Sequence, residues 1–177
     1  MGVVGRTGSG KSTTLLCLLR IIESPKGQIL IDGVDISQIG LDDLRRKITI
    51  IPQDPLLYKG TVRSNLDLFN QYEDQEIWNA LEKVCMRNKF IFSGLDSEIK
   101  EGGENLSAGE KQLLCIARAI LSKSKIILID EATSSIDNVT EEVILQSIHD
   151  NFKDCTMITI AHRLKTIIGS DKYAFSK

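Results

Sequence analysis

Gly5-Arg6-Thr7-Gly8-Ser9-Gly10-Lys11-Ser12 matches the pattern G-x-x-x-x-G-K-[ST], and its setting decides how the rest of the chain is read. Val3-Val4 before it is a short apolar run, and Lys11 to Ile22 after it reads as a mostly apolar buried helix. The segment is therefore strand, loop, helix. Glycines at 5, 8 and 10 let consecutive backbone N–H groups converge on phosphate oxygens, and the helix N-terminus adds its positive end. In such a loop Lys11 reaches the β and γ phosphates and Ser12 ligates magnesium, while Arg6, Thr7, Ser9 and Thr13 line the same cradle.

Outward from this loop the chain alternates strand and helix signals. Ser24-Pro25-Lys26-Gly27 breaks the first helix, and Gln28 to Ile31 followed by Asp32-Gly33 reads as a strand with a turn. Leu41 to Lys47 is a short charged helix, Ile48 to Ile51 an apolar strand stopped by Pro52, and Thr61 a cap over Val62 to Asp67. Between Asp74 and Phe92 the residues Ile77, Leu81, Val84 and Cys85 share one helical face. Ser107 and Glu110 have capping-box spacing before an apolar helix running to about Leu121. Ile126 to Ile129 is a continuous apolar strand of the kind buried on both faces, and a helix over about Glu141 to His149 and a strand over Thr156 to Ile160 follow. The expected fold is α/β with a mostly parallel sheet in one domain over residues 1–177, with about 58–105 as an inserted helical lobe.

Composition narrows the function classes. The length of 177 residues suits one domain with a real core, and 42% apolar with 26% charged residues is ordinary globular usage. No window approaches the roughly 18 uninterrupted apolar residues of a membrane span. Twenty-two Lys and Arg against 24 Asp and Glu leave a net charge of −2, so no global basic field argues for nucleic acid, and polyanion binding has to be local. Cys17, Cys85, Cys115 and Cys155 are far apart, with no CxxC and two His, which fits neither a zinc site nor a disulfide framework.

Asp130 follows four apolar residues, which puts a carboxylate at the carboxyl end of a buried strand, where α/β sheets hold ligands. It suits magnesium, directly or through water. Glu131 beside it suits a base that polarises a water toward a γ phosphate, since hydrolysis needs an oriented nucleophile more than covalent help.

With these two phosphate motifs in place, the chain resembles the ATP-binding cassette family, whose core is a P-loop NTPase. Gln53 in Ile51-Pro52-Gln53-Asp54 is similar to the Q-loop, Asn105-Leu106-Ser107-Ala108-Gly109-Glu110 to the family signature, Ser134-Ser135-Ile136-Asp137 to the D-loop, and His162 to the switch histidine. All occur in family order over nearly the whole chain. Pro52-Gln53-Asp54-Pro55, Gly60 to Asp67, Glu101 to Ser107 and Asp154 to Arg163 resemble the second cassette of multidrug resistance-associated (subfamily C) transporters, and Glu131 matches the hydrolysing half.

The resemblance implies an ATPase, with ATP and Mg2+ as ligands, that powers export of a solute at the cytoplasmic face of a membrane. Its implied partners are a second cassette and transmembrane domains. Glu131, His162 and Gln53 are the implied catalytic set, Ser12, Gln53 and Asp130 the magnesium set, and Ser107, Ala108, Gly109, Glu110 and Asp137 join residues 5–13 in nucleotide binding. The signature completes the site of a second cassette, so a monomer is expected to be nearly inactive. A soluble translation-factor type is the competing class, as is an inactive fragment. A DNA-repair type is opposed because only residues 12 to 129 separate Lys11 from Asp130, too few for a long coiled-coil insertion.

Three departures from the family qualify these expectations. Ser-Ala-Gly-Glu replaces the common Ser-Gly-Gly-Gln, adding a Cβ and a negative charge at a phosphate-facing helix N-terminus, which is expected to weaken the hold on a partner's ATP. The chain starts four residues before Gly5, so the family's first strands and adenine-stacking aromatic are expected to be missing, leaving Gln28 to Ile31 without neighbours. Asp171 to Lys177 departs from the family's next strand, which reads as a fragment or truncated product.

Overall fold

The computed structural model describes residues 1–6, 8–24, 26–132, 136–160 and 170–176. Strand β1 (Gly2–Gly5) leads to helix α1 (Lys11–Leu18), then to the two-residue strands β2 (Leu30–Ile31) and β3 (Val34–Asp35). Helix α2 (Leu41–Lys47) has Asp42 and Asp43 in its first turn and Arg45, Arg46 and Lys47 in its last, charges that complement the helix dipole at both ends. It feeds β4 (Ile48–Ile51), followed by β5 (Gly60–Thr61), α3 (Val62–Leu66), α4 (Asp74–Lys83), α5 (Arg87–Phe90) and β6 (Glu98–Ile99). The second half runs α6 (Ala108–Ser122), β7 (Ile126–Asp130), α7 (Asn138–Phe152), β8 (Thr156–Ile160) and β9 (Tyr173–Ser176).

Two compact units divide these elements. The first comprises Met1–Ile50, Ser124–Glu131 and Cys155–Lys177. Its sheet has the order β4-β7-β8-β1-β9, and the pairs β7 with β8, β8 with β1 and β1 with β9 are parallel. Ile160 faces Asp130 on one side and Val3 on the other. That register brings the ends of β1 and β7 to the same edge of the sheet. Beneath them Val3, Leu15, Leu19, Ile36, Leu44, Ile48, Leu128 and Ile160 form a buried apolar cluster.

Several expectations change here. The segment after Asp171 does form a strand, in register with β1 from Gly2 opposite Tyr173 to Gly5 opposite Ser176, because β1 offers it an otherwise unpaired edge. The strand expected over Gln28 to Ile31 shrinks to Leu30–Ile31 and is not left alone, since it closes a hairpin on Val34–Asp35. Helix α1 ends four residues early: Arg20 adopts a left-handed φ of 48°, and its guanidinium donates to the carbonyls of Ile36 and Ile39. No apolar periodicity reports that bond.

The second unit comprises Ile51–Lys123 and Ala132–Asp154 and is mainly helical. Helix α6 is its axis, touching α3, α4 and α7. Leu114, Ile116 and Ala117 are fully buried on it, as are Val62 of α3, Ile77 and Leu81 of α4, and Ile144 of α7. The long helix read over 74–92 breaks into α4 and α5 at Cys85, which takes a left-handed φ of 59°. The pairing of β5 with β6 carries no sequence signal at two residues per strand.

Candidate nucleotide site

The loop between β1 and α1 is shaped by backbone conformation. Gly10 occupies the N-cap of α1 at φ 86° and Gly8 sits at φ 81°, and no heavy atom lies within 4 Å of a Cβ built on either. Glycine is needed there for its left-handed backbone, and the space above it is an open cradle. Lys11 is 5% exposed, and its Nζ donates to the carbonyls of Gly5 at 3.0 Å and Arg6 at 2.9 Å. The ammonium is thus held over the loop that surrounds it. Ser9 N–H closes the turn on Arg6 O at 3.1 Å, and Arg6, Gly8, Ser12 and Thr13 are exposed.

Ser12 lies one residue into α1, and its Oγ is 3.4 Å from Asp130 Oδ1 at the end of β7. That is long for a hydroxyl hydrogen bond and near the ~3 Å that two neighbouring ligands of octahedral magnesium keep. Both donors are hard oxygens, so the pair fits a magnesium ion. β7 places Asp130 by burying Ile127, Leu128 and Ile129, which leaves the carboxylate as the first polar group past the core. Glu131 follows at φ 45°, a strained left-handed conformation for a non-glycine residue, and its N–H bonds Ile160 O at 3.0 Å.

The other described candidates, Gln53, Ser107 to Glu110 and Asp137, belong to the second unit. Gln53 is exposed just after β4. Ser107 is the N-cap of α6 in a full capping box: Glu110 N–H donates to Ser107 Oγ at 3.2 Å, and Ser107 N–H to Glu110 Oε2 at 2.9 Å. Ala108 is exposed and Gly109 buried. Asp137 caps α7 by accepting from Thr140 N–H at 3.0 Å, and that bond holds its carboxyl below the usual range. Thr7, Ser134, Ser135 and His162 lie outside the described residues.

The profile of the ABC transporter family matches residues 1–134. The chain belongs to that family. Among its relatives, human ATP-binding cassette sub-family C member 2 is 57% identical over 175 residues, 97% of this cassette and 11% of that protein. ABC transporter C family member 13 of Dictyostelium discoideum is 57% identical over 176 residues, 98% of the cassette and 13% of that protein. The cassette thus spans about a tenth of the length of these subfamily C relatives. The structure of a bacterial Atm1-family ABC exporter with ATP bound superposes with a TM-score of 0.91 at 36% identity, covering 99% of the cassette and 31% of that chain.

The structure adds residues that motif reading passed over. Gln112 is fully buried on α6 and donates from Nε2 to Pro52 O at 3.0 Å, beside Gln53. Arg118, two turns on, donates to Asn65 O at 2.8 Å and Leu56 O at 3.2 Å. Helix α6 therefore bonds the segment after β4 at two points, Pro52 and Leu56, from positions about 120° apart around its axis. The only signal for Gln112 was a polar residue opening an apolar run; Arg118 gave none.

Proposed function

We propose that this cassette binds ATP with magnesium at the Gly5–Ser12 loop, hydrolyses it, and powers solute export as the second cassette of a subfamily C transporter. The observation that carries the proposal is the convergence of a buried, carbonyl-held Lys11 with the Ser12 and Asp130 oxygens at one sheet edge. Backbone N–H groups of residues 5–13 and the Lys11 ammonium bind phosphate oxygens, and Ser12 and Asp130 hold the magnesium ion, with Gln53 as a further ligand by resemblance. The bound ion neutralises phosphate charge. Glu131 orients a water and accepts its proton, a role assigned from its place directly after Asp130 at the end of β7 and from the family resemblance. His162 is assigned a γ-phosphate contact on the motif alone.

The same reading treats residues 1–177 as one ATPase domain, with 58–105 as an inserted lobe. Ser107, Ala108, Gly109, Glu110 and Asp137 then face the nucleotide of a second cassette. A groove of about 340 Å³, lined by Tyr58, Asn65, Leu68, Phe69, Tyr72 and Arg118, supports docking of a helix from the membrane domains, because Tyr58, Leu68 and Phe69 are exposed apolar side chains at its rim. No described helix is long and apolar enough to cross a membrane. By the resemblance to subfamily C exporters, the spanning segments are assigned to transmembrane domains and the cassette to the cytoplasmic face. Nucleic acid is not an expected partner. Crosslinking from the membrane domains tests the placement: adducts within 53–92 are expected, and their complete absence there refutes it.

A further inference from the structure

The signature departs from the family's common form by carrying Glu110, and a bare carboxylate there opposes a facing triphosphate. Both oxygens of that carboxylate are engaged. Oε2 accepts from Ser107 N–H at 2.9 Å, and Oε1 lies 2.6 Å from Lys89 Nζ, 21 residues earlier. The two side chains are 37% and 29% exposed, so water screens the pair only in part. Lys89 is held in place by its short helix, because Phe90 and Met86 on either side are buried to 4% exposure. Lys111, the cation next in sequence to Glu110, runs its methylene stem past Gly103, with Cε and Cδ 3.2 and 3.4 Å from where a Cβ on that glycine would sit. Partial burial pushes the Glu110 carboxyl up, and the Lys89 ammonium and Ser107 amide bring it back below the usual carboxylate value, so it is ionised at neutral pH.

We propose that Lys89 is a positioning residue of the signature, which cancels the charge of Glu110 and orients its carboxylate to cap Ser107, so that this helix end still accepts a facing triphosphate. The expectation that Glu110 weakens the sandwich is thereby revised: the pair is neutral where the single residue is not. The inference rests on the two-cassette reading above.

The test uses the full-length transporter containing this cassette, reconstituted in vesicles, with KM for ATP and kcat measured for wild type, K89M, K89R, E110Q and K89M/E110Q. K89M is expected to raise KM about two- to fivefold, the worth of a partly screened charge pair, with kcat nearly retained. K89R keeps the wild-type KM, the K89M defect shrinks as salt is raised, and K89M/E110Q regains the lost affinity. A K89M/E110Q double variant as impaired as K89M, or an unchanged KM in K89M, overturns the proposal. ATP photolabelling at the Lys11 loop reports whether each variant is folded. If K89M does not fold, K89R against E110Q carries the test: an E110Q KM equal to wild type at every salt concentration removes the charge argument. A Ser107→Arg control separates the two levels, because undiminished turnover in it refutes the facing-cassette reading itself.

Discussion

Gly109 lies in the segment that resembles the family signature, and the structure gives it a packing role that does not involve phosphate. A Cβ built on Gly109 lies 2.2 Å from Thr140 Cγ2, 3.3 Å from Thr140 Cβ and 3.6 Å from its Oγ1. Carbon atoms in ordinary contact keep about 3.5 to 4.0 Å, so Gly109→Ala forces a displacement of about 1.3 Å or more where α6 meets α7. Thr140 does not yield easily, since it is β-branched and its N–H is bonded to the Asp137 cap. Overpacking of this kind costs about 1 to 3 kcal/mol, offset by up to about 1 kcal/mol for the better helix propensity of Ala. A contact as short as 2.2 Å takes the upper part of that range, about 2 to 3 kcal/mol, so the net is about 1 to 2 kcal/mol, or roughly 2 to 8 °C in Tm for a domain of this size. Thermal and urea denaturation of the chain measure it. Thr140→Ser removes the colliding methyl alone, so G109A/T140S is expected to regain most of the loss. An unchanged Tm in G109A, or no recovery in the double variant, refutes the packing argument. Turnover that stays low in a restabilised G109A/T140S assigns Gly109 a second role at the nucleotide.

Other outcomes follow from the same geometry. Lys11→Ala removes the ammonium held by Gly5 and Arg6 and is expected to lower affinity for a fluorescent ATP analogue by roughly tenfold or more, the worth of a charge-assisted contact. In the assembled transporter Glu131→Gln keeps ATP binding and loses about 10²-fold or more in steady-state turnover, because the amide has the same shape and accepts no proton. Gln112→Leu leaves the Pro52 carbonyl without its donor, at a cost of about 1 to 3 kcal/mol read by urea denaturation, and raises hydrogen exchange around Gln53. Because the folded-state value of Glu110 lies below its ordinary 4.5, its contribution to stability is complete above that pH and is lost as pH falls through the folded value. Acid titration of stability is therefore expected to be shallower in E110Q below about pH 4.5.

The strand, loop, helix order at residues 2–18, the glycine-shaped loop within it and the carboxylate of Asp130 at the end of a buried strand were legible in the sequence because each is local. The left-handed glycines at 8 and 10, the lysine and the hydroxyl lie within one turn of chain, and Asp130 is marked by the four apolar residues that bury its strand. Helix α2, strand β4 and strand β8 have the bounds that patterning predicts for the same reason. Tertiary structure alone decided the rest. The early end of α1 depends on carbonyls 16 and 19 residues from Arg20, and the strand at Tyr173–Ser176 depends on the free edge of β1. Glu110 meets a lysine 21 residues away, Gln112 reaches a carbonyl 60 residues away, and Gly109 is required by a methyl on another helix. Periodicity and motif spacing record what a residue does to its own turn of chain; they hold no trace of a partner that only folding brings within 3 Å.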